Sequence, residues 1–340
     1  MSEVTIQPLT NKDFSSDQEV RWCPGCGDYA ILRSMQKALP QLDEKKENYV
    51  FVSGIGCAAR FPYYMNTYGF HTIHGRAPAF ATGLKLANSD LQVWNMTGDG
   101  DALAIGGNHF IHAIRRNIDI NIVLFNNEIY GLTKGQFSPT SQTGIKTKSN
   151  PDGITDNPFI PTKLALGSGA TFIARITDTN PKGMQAVFLA AENHRGTSLV
   201  EILQNCVIFN DQTFGDVTGK EVKHDMQLYL EHGTPMIYGK DSDKGIVLNG
   251  LKLETVTLGE NGITEGDLLV HDAHEEDISL HMMIANMTAP EFPVAMGVIR
   301  AVKALTFDEG MTAQLEENIK TAKFKTSDEL FNSGDTWEVN

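Results

Sequence analysis

Along the first two thirds of the chain, short apolar runs alternate with longer stretches of helical spacing. "YVFVS" (49–53) is an unbroken, mostly apolar run that ends at the glycine-rich turn "GIGC" (54–57). "LQVWNMTGDGD" (91–101) also runs into glycine, Leu103 to Arg116 carries apolar residues at helical intervals, and "DINIVLFNN" (119–127) is a second near-continuous apolar run. Short apolar runs bounded by turn residues predict buried strands, and the 3.6-residue period predicts a helix. Strand, turn, helix, strand is a βαβ unit, which favours a parallel sheet with ligands at the carboxyl ends of its strands. The pattern returns with "ATFIARI" (170–176), a helix through "PKGMQAVFLAAENHR" (181–195) and the strand "SLVEILQ" (198–204). The expected fold class is α/β with a parallel sheet, reaching Cys206.

Beyond Asn210 the pattern changes. "MIYGKDSDKGIVLNG" (236–250) predicts a hairpin around a polar turn and "HEEDISLHMMIANM" (274–287) a helix; the polar end after Lys325 predicts a loosely ordered tail. Three parts are expected: an N-terminal segment 1–20, an α/β domain 21–210 that carries the chemistry, and a smaller C-terminal extension 211–340.

Composition narrows the class. With 340 residues the chain exceeds the roughly 250 to 300 at which a single core stops growing, in line with a large domain plus an appendage. Acidic residues outnumber basic ones 42 to 28, a formal charge of −14, which argues against nucleic-acid binding through phosphate neutralisation. The opening "MSEVTIQPLTNKDF" lacks a basic region followed by an apolar stretch, and no apolar run is long enough to span a membrane, so a cytoplasmic protein is expected. The 4 cysteines, Cys23, Cys26, Cys57 and Cys206, are too few for a disulfide scaffold.

Two constellations carry chemistry. "GDGD" (98–101) and "NNEIYG" (126–131) end successive strands and should emerge on the same sheet edge. A magnesium ion takes one or two protein oxygens together with phosphate oxygens: Asp99 offers a carboxylate, Asn127 an amide oxygen and Ile129 a backbone carbonyl. Gly98 and Gly100 would let the backbone approach a diphosphate at the helix N-terminus behind them. A lone Gly-Asp-Gly is an ordinary turn, but its distance from Asn127 resembles the thiamine-diphosphate motif, in which Asn-Asn follows after roughly 25 to 30 residues. The second constellation is the four cysteines, which suit a tetrahedral zinc site or a 4Fe-4S cluster equally well by residue type, with Cys206 as an unligated buried thiol the third reading. A redox-inert zinc beside thiamine has no evident job, whereas a cluster could take up electrons from the substrate.

Together "WCPGCG", "GIGC", "HGRAPAFATG", "GDGDALAIGG", "NNEIYGLTKGQFSPTS" and "GKDSDKGIVLNG" resemble the β subunits of 2-oxoacid:ferredoxin oxidoreductases, most closely the 2-oxoglutarate type, from about residue 20 to "PEFPVAMGVIR" near 300. The resemblance implies the diphosphate-binding half of the thiamine fold, with Cys23, Cys26, Cys57 and Cys206 ligating one 4Fe-4S cluster and magnesium held by Asp99, Asn127 and Ile129. It also implies that 2-oxoglutarate is converted to succinyl-CoA, or the reverse, with coenzyme A as co-substrate and electrons leaving to ferredoxin. The glutamate that activates thiamine would come from an α subunit. Ile55, Gly56, Cys57 and Ala58 should line the cofactor, with Gly100, Asp101, Gly131 and Leu132 near its diphosphate, and His74, Gly75 and Arg76 as further contacts. Lys134 stands in "TKGQ" where pyruvate enzymes tend to read Thr-Gly-Gly-Gln, so it is expected to meet the distal carboxylate of 2-oxoglutarate. The competing readings are a pyruvate or broad 2-oxoacid enzyme and a zinc-binding scaffold subunit. His271, His274 and His281 lack coherent ligand spacing and are expected on a solvated helix and its preceding loop.

Overall fold

The computed structural model describes residues 9–337 and Val339. Helix α1 (Asp28–Ala38) follows the Cys-Pro-Gly-Cys turn; β1 (Tyr49–Ser53), α2 (Phe61–Tyr64), β2 (Tyr68–His71) and α3 (Ala77–Ala87) lead to β3 (Gln92–Gly98). That strand passes directly into α4 (Asp99–Leu103) and α5 (Gly107–Arg116), and β4 (Asn121–Asn126) into a small hairpin, β5 (Ile129–Tyr130) and β6 (Gln136–Phe137). Then come α6 (Pro161–Gly167), β7 (Phe172–Thr177), α7 (Pro181–Asn193) and β8 (Ser198–Leu203). The remainder comprises α8 (Gly215–Thr218), α9 (Lys223–Met226), β9 (Gln227–Leu230), the strands β10 (Ile237–Tyr238), β11 (Lys244–Asn249) and β12 (Lys252–Thr257), then α10 (Ser279–Ala285), β13 (Val294–Ala301), α11 (Phe307–Thr321) and α12 (Ser327–Phe331).

The central sheet has eight strands in the order β2-β1-β3-β4-β8-β7-β13-β9. Its first six are mutually parallel. The strands read from apolar runs are buried on both faces, as expected of a parallel sheet covered by helices. On β1, Val50 and Val52 enter one core while Tyr49 and Phe51 enter the other, and β4 splits in the same way into Ile122 and Leu124 against Val123 and Phe125. β2 escaped the sequence reading: it is an edge strand exposed throughout, with neither a buried run nor clean alternation to betray it.

Three expectations need correction. The division at residue 210 does not follow the sheet, because β13 pairs antiparallel with β7 and β9 pairs parallel with β13, so residues 211–340 extend the same sheet. The helix expected from Leu103 to Arg116 is interrupted, and the break brings Gly106 against the turn at Gly75, where a Cβ on Gly75 would lie 2.5 Å from the Gly106 nitrogen. After Lys325 the chain forms α12, capped by the Thr326 hydroxyl accepting from the Glu329 N–H.

Two adjoining cavities at the carboxyl edge of the sheet

The loops after β1, β3, β4 and β8 all leave the sheet at its carboxyl edge and build two neighbouring cavities. The first, about 400 Å³, is lined by Ile55, Gly56, Cys57, Ala58, His74, Gly98, Asp99, Gly100, Asp101, Asn127, Ile129, Gly131 and Leu132, all expected from sequence. Gly75 and Arg76 are not among its walls. Gly75 instead donates its N–H to Asp101 Oδ1 at 2.7 Å, and an Arg76 Nη1 reaches the Ile105 carbonyl at 3.4 Å.

Asp99 is buried, and its Oδ2 accepts from Ser138 Oγ and Thr140 Oγ1, both at 2.6 Å. Burial holds its carboxyl above the usual carboxylate range despite these donors. It forms no ion pair among the described residues, so a divalent cation would relieve the desolvation that no protein cation offsets. Asn127 donates Nδ2 to Gln204 Oε1 at 2.8 Å, and its Oδ1 accepts from the Ile129 N–H at 3.2 Å. Carboxylate and amide oxygen are hard donors of the kind magnesium takes.

The two glycines of the Gly-Asp-Gly turn serve different purposes. A Cβ on Gly98 would meet only the Phe125 carbonyl at 4.0 Å, which leaves room for a diphosphate. A Cβ on Gly100 would lie 2.3 Å from the Tyr130 ring, whose hydroxyl donates to the Gly100 carbonyl at 2.9 Å. Asp101, expected near the diphosphate, lines the cavity but spends its carboxylate on the protein. Oδ1 accepts from the Ile55 and Gly75 N–H groups and pairs with His74 Nδ1, and Oδ2 accepts from Thr97 Oγ1 at 2.9 Å. It braces three loops and sets the tautomer and orientation of His74.

The second cavity, about 240 Å³, has all four cysteines in its walls. Cys23 and Cys26 flank a turn closed by the Cys26 N–H donating to the Cys23 carbonyl, with Gly25 at φ 84°. A Cβ on Gly131 would stand 3.4 Å from Cys206 Sγ and 3.7 Å from Cys57 Sγ, so the loop after β4 runs directly over both sulfurs. Burial, then Asp28 nearby, pushes the Cys57 thiol up to about 12 and the Cys26 thiol well above its ordinary range. Thiolates in this setting need a strong positive centre to form. Among the described residues no three His, Cys, Asp or Glu side chains converge on a single metal-ion position. Four thiols around one cavity are a donor set for a tetrahedral zinc or for a 4Fe-4S cluster. Lys134, at φ 78°, lies in the wall of this cavity and not of the first.

Residues 54–202 match the thiamine pyrophosphate enzyme, C-terminal TPP binding domain. The 2-oxoglutarate oxidoreductase subunit KorB of Mycobacterium tuberculosis is 49% identical over 338 residues, which cover 98% of this chain and 90% of that relative. The chain belongs to the β subunits of the 2-oxoacid:ferredoxin oxidoreductase family. A 2-oxoglutarate synthase subunit KorB of Archaeoglobus fulgidus is 47% identical over 185 residues, 54% of this chain and 69% of that protein. A solved 2-oxoglutarate:ferredoxin oxidoreductase from Magnetococcus marinus, with 2-oxoglutarate, coenzyme A and succinyl-CoA bound, aligns with a TM-score of 0.78 at 29% identity, covering 98% of both chains.

In this family member several residues at or behind the cavity walls went unread in the sequence. Asp28 is 2% exposed, lines both cavities, has an Oδ2 without a hydrogen-bond partner and is pushed up to about 7 by burial. Its one available signal was a carboxylate two residues after Cys26. Ser138 and Thr140 stand within "NNEIYGLTKGQFSPTS" with no role attached, and Gln204 gave no signal, because hydroxyls and amides are common in loops and only the fold brings these to Asp99 and Asn127. The histidine expectation is corrected as well: His271 and His281 are fully buried. His271 Nε2 bonds the Val298 carbonyl at 3.0 Å, and His281 bonds the Asp272 carbonyl at 2.9 Å and Arg300 Nη1 at 2.9 Å, so both tie the C-terminal segment to β13.

Proposed function

We propose that this chain is the β subunit of a CoA-dependent 2-oxoglutarate:ferredoxin oxidoreductase. The reaction takes 2-oxoglutarate, coenzyme A and two oxidised ferredoxins to succinyl-CoA, CO2, one proton and two reduced ferredoxins, or runs in reverse. The observation that carries this reading is the wall common to the two cavities, formed by Asp28, Cys57, Asn127, Gly131 and Leu132, which sets a four-thiol pocket directly against a diphosphate pocket. Thiamine diphosphate, when bound, supplies the electron sink for decarboxylation.

The chain's own residues bind and orient. Asp99, Asn127 and Ile129 would hold magnesium on the diphosphate, Gly98 leaves the backbone open to it, and Asp101 keeps His74 in one orientation at the cavity wall. Cys23, Cys26, Cys57 and Cys206 would hold one 4Fe-4S cluster. No glutamate lines the diphosphate cavity among the described residues, which supports an α subunit as the source of the activating glutamate. Arg21, Arg60 and Lys134 rim the cysteine cavity of a chain with net charge −14, although Arg21 also pairs with Glu19 at 2.8 Å; that local basic rim supports docking of an acidic electron carrier such as ferredoxin. No helix among the described residues is long and apolar enough to cross a membrane, and a cytoplasmic place belongs to the same proposal.

Lys134 as the partner of the distal carboxylate is kept as a proposal: it lies on the loop from Gly131 to Gln136, which walls both cavities. Lys134→Ala is expected to raise KM for 2-oxoglutarate far more than for 2-oxobutyrate, and equal changes would remove the specificity role. The function itself is tested by iron, sulfide and zinc analysis of anaerobically purified αβ complex, with absorption spectra before and after addition of 2-oxoglutarate and coenzyme A. About four irons per chain, with visible bleaching only after substrate, is the expected result for a 4Fe-4S enzyme. One zinc and no visible band would sink the oxidoreductase reading.

A further inference from the structure

Gln204 follows β8 and is 1% exposed. Its side-chain amide contacts three groups. Nε2 donates to the Asn205 carbonyl at 2.6 Å and to Cys26 Sγ at 3.3 Å, and Oε1 accepts from Asn127 Nδ2 at 2.8 Å. A backbone carbonyl can only accept, so Asn205 decides which end of the Gln204 amide carries the hydrogens. With that end settled, Oε1 faces Asn127, and Asn127 must turn its own NH2 toward Gln204. The Asn127 oxygen is thereby the end turned away from Gln204; the Ile129 N–H, at 3.2 Å, selects the same orientation and leaves its second lone pair for a cation, and an amide ligates a hard cation only through oxygen.

At its other end the same amide reaches the cysteine cavity. A hydrogen bond donated to a cluster-ligating sulfur stabilises the reduced, more negative state and raises the reduction potential. The contact is close by construction: a Cβ on Gly27, next to Cys26, would stand 3.0 Å from Gln204 Cγ.

We propose that Gln204 is a positioning residue that ties the two cofactor sites together, presenting the Asn127 oxygen to magnesium while its N–H to Cys26 raises the cluster potential. The inference rests on the reading that Asn127 holds magnesium and Cys26 a 4Fe-4S cluster. It is tested on the anaerobic αβ complex as wild type, Gln204→Met and Gln204→Glu, by iron and sulfide content, by calorimetric titration of thiamine diphosphate with magnesium, and by EPR-monitored redox titration. Gln204→Met removes all three contacts, and the expected result is roughly 10- to 100-fold weaker cofactor binding together with a more negative cluster potential. Gln204→Glu keeps an acceptor for Asn127 but loses the donors to Cys26 and to the Asn205 carbonyl and adds a negative charge, so cofactor affinity should stay close to wild type while the potential falls further than in Gln204→Met.

A merely structural glutamine would lower the unfolding midpoint in both variants and leave the potential and affinity of Gln204→Met where they were, which overturns the proposal. If Gln204→Met does not fold, an unchanged potential in Gln204→Glu overturns it by itself. Wild-type complex without iron and sulfide would defeat the underlying reading and the cluster half with it; the cofactor affinity of Gln204→Met then decides the magnesium half.

Discussion

Gly100 and Asp99 are neighbours selected by different demands. Gly100 is glycine because the Tyr130 ring occupies the space of a side chain, so Gly100→Ala must push Tyr130 off the Gly100 carbonyl. The expected cost is about 1–3 kcal/mol of stability, with weakened binding of thiamine diphosphate, measured by urea denaturation and calorimetry. Asp99 shows the opposite trade. Its folded carboxyl is held above the usual range by burial, so the stability it contributes is present at low pH and is lost as pH rises past its unfolded value. Asp99→Asn without cofactor should therefore be at least as stable as wild type at neutral pH, by an increment that grows with pH, while losing magnesium-dependent thiamine diphosphate binding. A variant that binds the cofactor normally would remove Asp99 from the metal site.

Among elements, the strands beneath the site are joined by a buried ion pair. Arg175 of β7 and Glu201 of β8 are register partners, with Arg175 Nε 2.8 Å from Glu201 Oε2, and Glu201 Oε1 accepts from Asn126 Nδ2 at the end of β4. Removing one partner strands the other charge away from water. Arg175→Met is expected to cost about 3–5 kcal/mol in urea denaturation, and the double replacement Arg175→Met with Glu201→Gln to recover much of that, since the amide still serves Asn126. Additive losses would show that packing, and not the stranded charge, dominates. The same pair shows why "IARI" and "VEIL" read as strands although each carries a charged residue: the two polar exceptions face each other in the sheet.

For the whole molecule, acid stability draws on histidines desolvated by burial, His194 after α7 and His271, which joins the C-terminal segment to β13. Burial first of all drives His271 down to about 4 from an ordinary 6.5. As pH falls below 6.5 the unfolded chain takes up the proton before the folded one, so stability is lost between about pH 6.5 and 4 and is fully present above that window. His271→Gln should flatten the difference between urea midpoints at pH 7 and pH 5; an unchanged difference would assign the acid limb to other groups. The sequence by itself determined the parallel α/β core, the Gly-Asp-Gly and Asn-Asn loops and the four cysteines, because apolar periodicity and motif spacing are local properties of the chain. It also carried the family, through motifs spread from residue 20 to 300. Only the tertiary structure decided that residues 227–230 and 294–301 complete the sheet, since strand pairing between residues as distant as Arg175 and Gly297, or Gln227 and Val294, leaves no local trace. Tertiary packing likewise turned Asp101 into a loop brace, set Lys134 on the cysteine side, and brought Asp28 and Gln204 between the two cavities. Hydrogen-bond partners distant in sequence settle such roles, and a residue's own type and spacing do not name them.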